Sequence, residues 1–168
     1  MRSKILVSAC LMGLKVRYNG SDKKVVAEIL TRWQQEGRLV VHCPELAAGL
    51  LTPRLPAEII HGSGDKVLSG CAQVQESDGQ DVTAQYVLAG WLAVAAAQAE
   101  GCRFALLSDG SPTCGSQYIY DGSFSGVKHP GAGIAATLLR QQGVEVFSEQ
   151  QLEALIRRVH QYEAQGGE

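Results

Sequence analysis

Three apolar segments each run into a turn that contains cysteine and is rich in glycine or proline, and this repetition restricts the fold more than any other feature. The segments are residues 4–9, 38–42 and 103–107, and the cysteines that follow them are Cys10, Cys43 and Cys114. Helix-like stretches separate the segments, and such alternation is typical of βαβ units around a parallel sheet. Because ligands bind at the edge where the carboxyl ends of parallel strands gather, we expect the three cysteines to meet there.

The remaining periodicity predicts a single-domain α/β chain over residues 1–168. The predicted fold is Rossmann-like, with an open, mostly parallel sheet, helices on both faces and a possible small antiparallel edge segment. Helices are predicted at residues 22–35, 81–100, 131–142 and 149–162, and a last strand is predicted at residues 144–147. The helix over residues 81–100 is apolar on every side, so we expect it to be well buried.

Two long segments between these elements are rich in glycine and proline. Residues 44–64 and 108–130 are predicted to be loops, the first with at most a short helical turn. Residues 66–76 alternate between apolar and polar positions, which indicates an edge strand or a hairpin. Loops of this length in a compact domain usually carry function.

Charge and hydropathy exclude several classes of partner. The 168 residues contain 15 basic and 17 acidic side chains with no basic run, so we expect no nucleic-acid partner and favour a small, neutral or weakly polar substrate. No apolar stretch reaches the length of a membrane span. Residues 1–4 and the apolar residues 5–14 resemble a secretory signal, but the lack of a convincing cleavage site favours a first strand and a cytoplasmic protein.

The chain has five cysteines, an odd number that argues against a full set of disulfides in a cytoplasmic protein. Cys71 and Cys102 lie near the starts of extended segments and are interpreted as small hydrophobic residues. Cys10, Cys43 and Cys114 are interpreted as ligands of a metal or cluster, with three unrelated buried thiols as the alternative. Three thiolates would leave one coordination position for water or substrate, as in a catalytic metal site.

Two polar residues lie close to these cysteines in the chain. Glu45 follows Cys43 by two residues and is a candidate general base, although an exposed carboxylate in a loop is the plainer interpretation. Ser111 precedes Cys114 by three residues and is either a hydrogen-bonding group at the same centre or an ordinary turn hydroxyl.

Other features are less specific. Residues 131–136 match the dinucleotide-binding pattern G-x-G-x-x-A, but a loop precedes them, so a tight helix start is the preferred interpretation. His42 and His129 are candidate ligands, although His42 is expected to face away from Cys43 if the strand continues through both residues. Arg17 and Arg54 lie in predicted loops, where each either binds an anionic group or faces solvent.

Short motifs follow one another along nearly the whole chain, from Ile5 to Glu149. They are ILVSACLMG at 5–13, VRYNG at 16–20, CPE at 43–45, GL at 49–50, TPR at 52–54, SPTCG at 111–115, IYDG at 119–122, FSG at 124–126 and GAG at 131–133. Together these motifs resemble the thiouracil desulfurase family. One difference is residues 108–110, where many relatives have a basic residue and this chain has Ser-Asp-Gly; it bears on substrate preference more than on chemistry.

The resemblance implies a [4Fe-4S] cluster held by Cys10, Cys43 and Cys114, with the fourth iron open to the sulfur of a thiolated uracil. It also implies that Glu45 and Ser111 handle water beside that iron. The expected chemistry is non-redox: water attacks the ring carbon, and thiouracil and water become uracil and hydrogen sulfide. The implied partners are a small thiolated pyrimidine as substrate and the iron–sulfur assembly machinery for maturation, with no membrane partner.

Three other functions would use the same cysteines. A three-cysteine zinc site would support hydrolysis, a cluster with four protein ligands would suit an iron–sulfur sensor, and an open iron could carry sulfide in sulfur transfer. Sulfur transfer normally needs an activation partner or a nucleotide site, and the chain has no phosphate-binding loop motif. The sequence does not separate a 2-thio from a 4-thio substrate, and the lack of a basic patch favours a free base or small nucleoside over RNA.

Overall fold

A computed structural model describes residues 2–166 of the chain, with a four-stranded parallel sheet at its centre. The strands are β1 Ile5–Ser8, β2 Leu39–His42, β3 Ala57–Ile60, β4 Gln73–Glu76, β5 Phe104–Leu107, β6 Tyr118–Tyr120, β7 Lys128–Pro130 and β8 Glu145–Ser148. The helices are α1 Glu28–Gln35, α2 Pro44–Ala47, α3 Gly64–Leu68, α4 Thr83–Glu100, α5 Ile134–Gln141 and α6 Leu152–Ala164, with short 3-10 helices at Ala9–Met12 and Glu149–Gln151. The central sheet has the strand order β2-β1-β5-β8, and its pairings are parallel, which confirms the predicted α/β class.

Apolar side chains on the two faces of this sheet form two separate clusters. Along β1, Leu6 belongs to a cluster with α4 and α5, whereas Ile5 and Val7 belong to a cluster with α1 and α6. Phe104 and Leu106 of β5 join the second cluster. This division follows from the pleat, which sends successive side chains to opposite faces. Helices therefore cover both faces of the sheet, as predicted.

The turns that follow β1, β2 and β5 emerge at one edge of the sheet. β1 pairs with β2 along Ile5–Ser8 and with β5 along residues 5–7. Because the three strands are neighbours and run in the same direction, their carboxyl ends lie side by side. The three cysteines predicted to be ligands are carried by the turns at this edge.

The two segments predicted to be long loops contain regular structure, so that prediction is wrong in part. Residues 44–64 include α2 and β3, and residues 108–130 include β6 and β7. Residues 66–76, predicted to form an edge strand or hairpin, are the end of α3 followed by β4. β3 pairs antiparallel with β4, and β6 with β7, as two small sheets separate from the central one. Long connections join both pairs, so no two-residue turn signal marks them in the sequence.

The first helix starts later than predicted. Residues 22–27 contain no helix, and α1 begins only at Glu28. The backbone N–H of Lys23 donates to the carbonyl of Cys10 at 2.9 Å. This segment therefore lies against the turn after β1 and supports the backbone of the first cysteine.

α4 is buried on one side only, which corrects the prediction for residues 81–100. Tyr86 and Ala93 are buried in the cluster with α5, whereas Leu88 and Trp91 are 47% and 48% exposed. The sheet and α5 cover only one face of the helix. A sequence that is apolar on every side does not show which face that will be. Within residues 2–166, no helix is long and apolar enough to cross a membrane.

Candidate active site

All five predicted site residues line one cavity of about 590 Å³. They are Cys10, Cys43, Glu45, Ser111 and Cys114. Residues at the carboxyl ends of β1 and β2, Ser8 and His42, line it as well, so the cavity opens at that edge of the sheet. The structure thus brings together side chains that are distant in the sequence, as the strand directions predict.

Short helices hold the first two cysteines. Cys10 lies in the 3-10 helix Ala9–Met12, which Gly13 ends with a φ of 91°. Cys43 immediately precedes α2, and Pro44 takes the first helical position, where proline is favoured. Both backbones are therefore fixed by local structure, with Cys10 buried and Cys43 half-buried.

Ser111 organises the turn that carries Cys114. Its Oγ accepts the backbone N–H of Thr113 at 3.0 Å and the backbone N–H of Cys114 at 3.1 Å. Bonds of this kind are typical of serine at turns. The hydroxyl therefore has the turn role considered from the sequence and also lies in the cavity with the cysteines.

The amino terminus of α5 packs directly on the same turn. The backbone N–H groups of Ile134 and Ala135 donate to the carbonyls of Pro112 and Thr113 at 2.8 and 2.9 Å. Gly133 approaches so closely that an added Cβ would lie 2.5 Å from the carbonyl oxygen of Pro112. The G-x-G-x-x-A motif is therefore a tight helix start. Its backbone N–H groups, which a phosphate would need as donors, are already hydrogen-bonded to carbonyls of the protein.

Burial raises the pKa of each of the three cysteine thiols in the cavity. The pKa of Cys114 rises well above its ordinary value, because of burial first and the charge of Glu45 second. Cys43 raises the pKa of Cys10, and both raise that of Cys114. Ionising these thiols together is therefore costly unless a cationic group binds them. Among residues 2–166, no three His, Cys, Asp or Glu side chains are grouped so as to hold a single metal ion.

Glu45 is buried, which excludes the exposed loop carboxylate considered from the sequence. Its Oε2 accepts the hydroxyl of Thr113 at 2.9 Å and the hydroxyl of Ser111 at 3.2 Å. Its Oε1 accepts Nη2 and Nε of Arg54 at 2.6 and 3.1 Å and the hydroxyl of Tyr86 at 3.4 Å. The carboxylate thus connects the turn after β2 with the turn after β5 and has donors on both oxygens.

Three of these partners have roles that the sequence does not predict. Arg54, expected to bind an anion or face solvent, is paired with Glu45, and its side chain is only 7% exposed. Tyr86 lies in α4, where it looks like an ordinary core residue, and burial raises its pKa far above the usual value. Thr113 offers one signal, its position within the SPTCG motif.

Of the other basic residues considered from the sequence, Arg17 and His42 line the cavity and His129 does not. Arg17 lines the cavity, where its Nη1 donates to Ser21 at 3.4 Å and its guanidinium lies 5.8 Å from the ring centre of Tyr18. β2 ends at His42, so the strand alternation expected to turn this side chain away from Cys43 does not reach the cysteine, and His42 also lines the cavity. Its Nε2 is buried and has no hydrogen-bond partner within the described residues. His129 lies in β7, outside the cavity lining.

Cys71 and Cys102 do not line the cavity. Cys102 is buried in the core, as expected for a small hydrophobic residue, and burial raises its pKa to about 11. Cys71 is exposed, so the same interpretation is wrong for Cys71.

Asp109 supports the backbone beyond Cys114. It is buried, and its Oδ1 accepts the backbone N–H groups of Ser116, Gln117 and Tyr118 at 3.0, 3.1 and 3.2 Å. Hydrogen bonds from backbone N–H groups to a carboxylate are among the stronger ones in proteins. Asp109 therefore has a structural role as well as a place in the cavity wall.

Aromatic side chains form part of the cavity wall. Tyr118, Tyr120 and Phe124 line it, and the two tyrosine rings pack edge to face. The backbone N–H of Phe124 donates to Glu58 at 3.2 Å, and that residue has an unusual positive φ of 56°. The aromatic wall is thus anchored to β3.

Comparisons with known proteins agree with the motifs and the fold. The family described as 2-thiouracil desulfurase matches residues 5–151. The uncharacterized protein YbbK of Bacillus subtilis strain 168 is 43% identical over 152 residues, which cover 90% of this chain and 99% of that protein. A solved structure of the [4Fe-4S]-dependent thiouracil desulfidase TudS is 45% identical, with a TM-score of 0.86, and the match covers 95% of this chain and 99% of the other. This chain belongs to the 2-thiouracil desulfurase family.

Proposed function

We propose that the protein removes sulfur from a thiolated uracil without a redox step, so that thiouracil and water give uracil and hydrogen sulfide. The observation that carries this proposal is a single cavity that contains three cysteine thiols and a hydrogen-bonded Ser111–Glu45 pair. Membership of the 2-thiouracil desulfurase family and the likeness to TudS support the same reaction. The zinc hydrolase, sensor and sulfur-transfer alternatives gain no such support.

The cavity residues fit an iron–sulfur cluster. Cys10, Cys43 and Cys114 would hold a [4Fe-4S] cluster and leave one iron open, since thiolates are the ligands that such clusters take. Burial raises the pKa of all three thiols, so their thiolates would need a cationic partner, which the iron ions of a cluster would provide. When bound, the cluster would supply a Lewis-acidic iron that polarises the thiocarbonyl group.

Glu45 and Ser111 would handle the water. The oxygen of Ser111 already accepts two backbone N–H groups, so its own proton is directed toward Oε2 of Glu45. Ser111 is therefore suited to act as a donor that holds the carboxylate in place. Glu45 is suited to take a proton from the attacking water, as a general base at hydrogen-bond distance does.

The aromatic wall suits a small planar substrate, so a thiolated pyrimidine base or nucleoside is the proposed ligand. Maturation would require the iron–sulfur assembly machinery. The five cysteines are free thiols, which suits work in the reducing cytoplasm.

Oxygen-free purification, assays of iron and acid-labile sulfide, and the loss of the thiocarbonyl absorbance of 4-thiouracil test this proposal. Glu45→Gln should slow sulfide release about 100-fold or more, and Ser111→Ala about 10- to 100-fold, both with parental iron content. Cys43→Ser should lose iron, whereas the matched exposed variant Cys71→Ser should keep it. Parental rates in both Glu45→Gln and Ser111→Ala would remove these residues from the mechanism.

His42→Ala tests whether one iron is open. With three cysteine ligands, the variant should keep its iron content and the electron paramagnetic resonance spectrum of the reduced cluster. A changed spectrum together with lost iron would indicate that His42 is a fourth ligand, which would contradict the open position.

A further inference from the structure

We infer that Arg54 is a positioning residue for the proposed desulfuration: it holds one oxygen of Glu45 so that the other oxygen faces Ser111. The inference rests on the proposed role of Glu45 as the group that receives a proton from water. It assigns a task to a residue that the sequence places in a loop, nine positions from its partner.

The two carboxylate oxygens of Glu45 have different partners. Arg54 directs both Nη2, at 2.6 Å, and Nε, at 3.1 Å, to Oε1. Oε2 instead accepts hydroxyl groups of Thr113 and Ser111, which belong to the turn that carries Cys114. Turning the plane of the carboxylate would break contacts on both oxygens, so the guanidinium fixes that plane and keeps one oxygen directed at the turn that carries Cys114.

Arg54 can hold this position because its remaining donors are bonded to two backbone carbonyls and one hydroxyl group. Its Nη1 donates to the carbonyl of Leu51 at 2.9 Å and to the hydroxyl of Thr52 at 3.2 Å. Its Nη2 also donates to the carbonyl of Val16 at 3.3 Å. The guanidinium is therefore fully engaged by protein groups, unlike a cation that waits for an anionic part of the substrate.

The shape of arginine matters here as well as its charge. A lysine at position 54 would keep one positive charge but would lack the planar set of donors that reaches Glu45, Leu51 and Val16 together. A misplacement of about 1 Å can cost a rate factor of about 100 in an enzyme. We therefore expect charge alone to restore only part of the function.

Steady-state kinetics of the loaded enzyme test the inference. Arg54→Gln should lower kcat about 10- to 100-fold with KM within about threefold, because Glu45 is misplaced while the substrate contacts remain. Arg54→Lys should recover part of this loss. Iron content and the absorption spectrum should stay parental in both variants. Arg158→Gln, which breaks an exposed ion pair between α6 and β8, is the control and should stay within about threefold of the parent.

A double variant separates action through Glu45 from an independent structural role. If Arg54 works through Glu45, kcat of Arg54→Gln/Glu45→Gln should equal that of Glu45→Gln alone. Melting temperatures of the protein without cluster give a second test. The decrease in Tm of the double variant should be smaller than the sum of the decreases in the two single variants, because each single change leaves a buried charge unpaired.

Three results would overturn the inference while leaving the proposed role of Glu45 in place. Multiplied losses of kcat in the double variant, or a rise of KM as the main effect of Arg54→Gln, would show that Arg54 acts on something other than Glu45. If the decreases in Tm of the two single variants simply add in the double variant, Arg54 and Glu45 are not coupled. Full activity of Glu45→Gln would instead overturn the proposed role of Glu45, and the positioning role with it, so the two failures are distinguishable.

Discussion

Glu45 shows how burial changes what a carboxylate can do. An exposed glutamate samples many rotamers and keeps its water shell, whereas Glu45 has protein donors on both oxygens. Its direction is therefore set before any substrate arrives. Groups arranged in advance in this way need little reorganisation during a reaction, which is a major source of rate enhancement.

The two cysteines outside the cavity should react differently with alkylating agents. Burial raises the pKa of Cys102 to about 11, so at pH 8 this thiol is almost entirely protonated, and the thiolate is the reactive form. Cys71 is exposed. Iodoacetamide at pH 8 should therefore modify Cys71 first, and Cys102 should become reactive as the pH rises toward 11 or when the chain is unfolded.

Peptide mapping by mass spectrometry, with Cys71→Ser as the control, measures both rates in the protein without cluster. Equal rates for Cys71 and Cys102 at pH 8 would contradict the burial of Cys102.

At the scale of single residues, local motifs predict those site residues that lie next to a cysteine. Glu45 and Ser111 are close to Cys43 and Cys114 in the chain, so proximity alone makes them candidates. Arg54 and Tyr86 reach Glu45 only because α4 and the loop after α2 fold over the same cavity. No pattern of hydrophobicity or spacing encodes such a contact.

At the scale of elements, α5 acts as a support for a loop rather than as a ligand site. Its first N–H groups are bonded to carbonyls of the turn that carries Cys114. The terminal amides of a helix lack partners within the helix, so this loop satisfies them and is held in return. The close approach requires a residue without a side chain at position 133.

Gly133→Ala should therefore displace the turn of Cys114. The added Cβ would lie 2.5 Å from the carbonyl oxygen of Pro112, so we expect a loss of about 1–3 kcal/mol in the free energy of unfolding. Reconstituted iron content should also fall. Urea denaturation of the protein without cluster and an iron assay measure the two effects.

Gly131→Ala is the matched control within the same GAG motif, since its added Cβ would come no closer than 3.4 Å to any neighbour. It should change the free energy of unfolding by less than about 0.5 kcal/mol. Equal effects of the two substitutions would argue against the close contact at Gly133.

Element prediction succeeds where periodicity is strong and fails where pairing is distant. The strands of the central sheet differ from the predicted bounds by only a few residues, because buried parallel strands are continuous apolar runs. β3, β6 and β7 have three or four residues each and pair across long connections, so their short segments look like loop.

At the scale of the whole molecule, the central sheet separates two apolar clusters that share its strands. Successive side chains of β1 and β5 enter opposite clusters. A loss of either cluster would expose one face of the same strands, so the two faces are expected to unfold together. This expectation is the testable content of the single-domain prediction.

The two tryptophans report on the two faces. Trp33 is buried in the cluster with α1 and α6, and Trp91 lies on α4 at the other face. In Trp91→Phe and in Trp33→Phe, the remaining tryptophan should give the same urea midpoint as circular dichroism. Trp33→Phe should itself lower the free energy of unfolding by about 1–3 kcal/mol. Distinct midpoints for fluorescence and circular dichroism in either variant would contradict a single cooperative unit.

The positions of the three cysteines after β1, β2 and β5 also have a consequence for biosynthesis. If Cys10, Cys43 and Cys114 are the ligands, the cluster site does not exist in the unfolded chain, because the three thiols become neighbours only when β1, β2 and β5 have paired. Loading would therefore be a late event on a finished scaffold. The visible absorbance of the bound cluster should then be lost in the same denaturation transition as the central sheet.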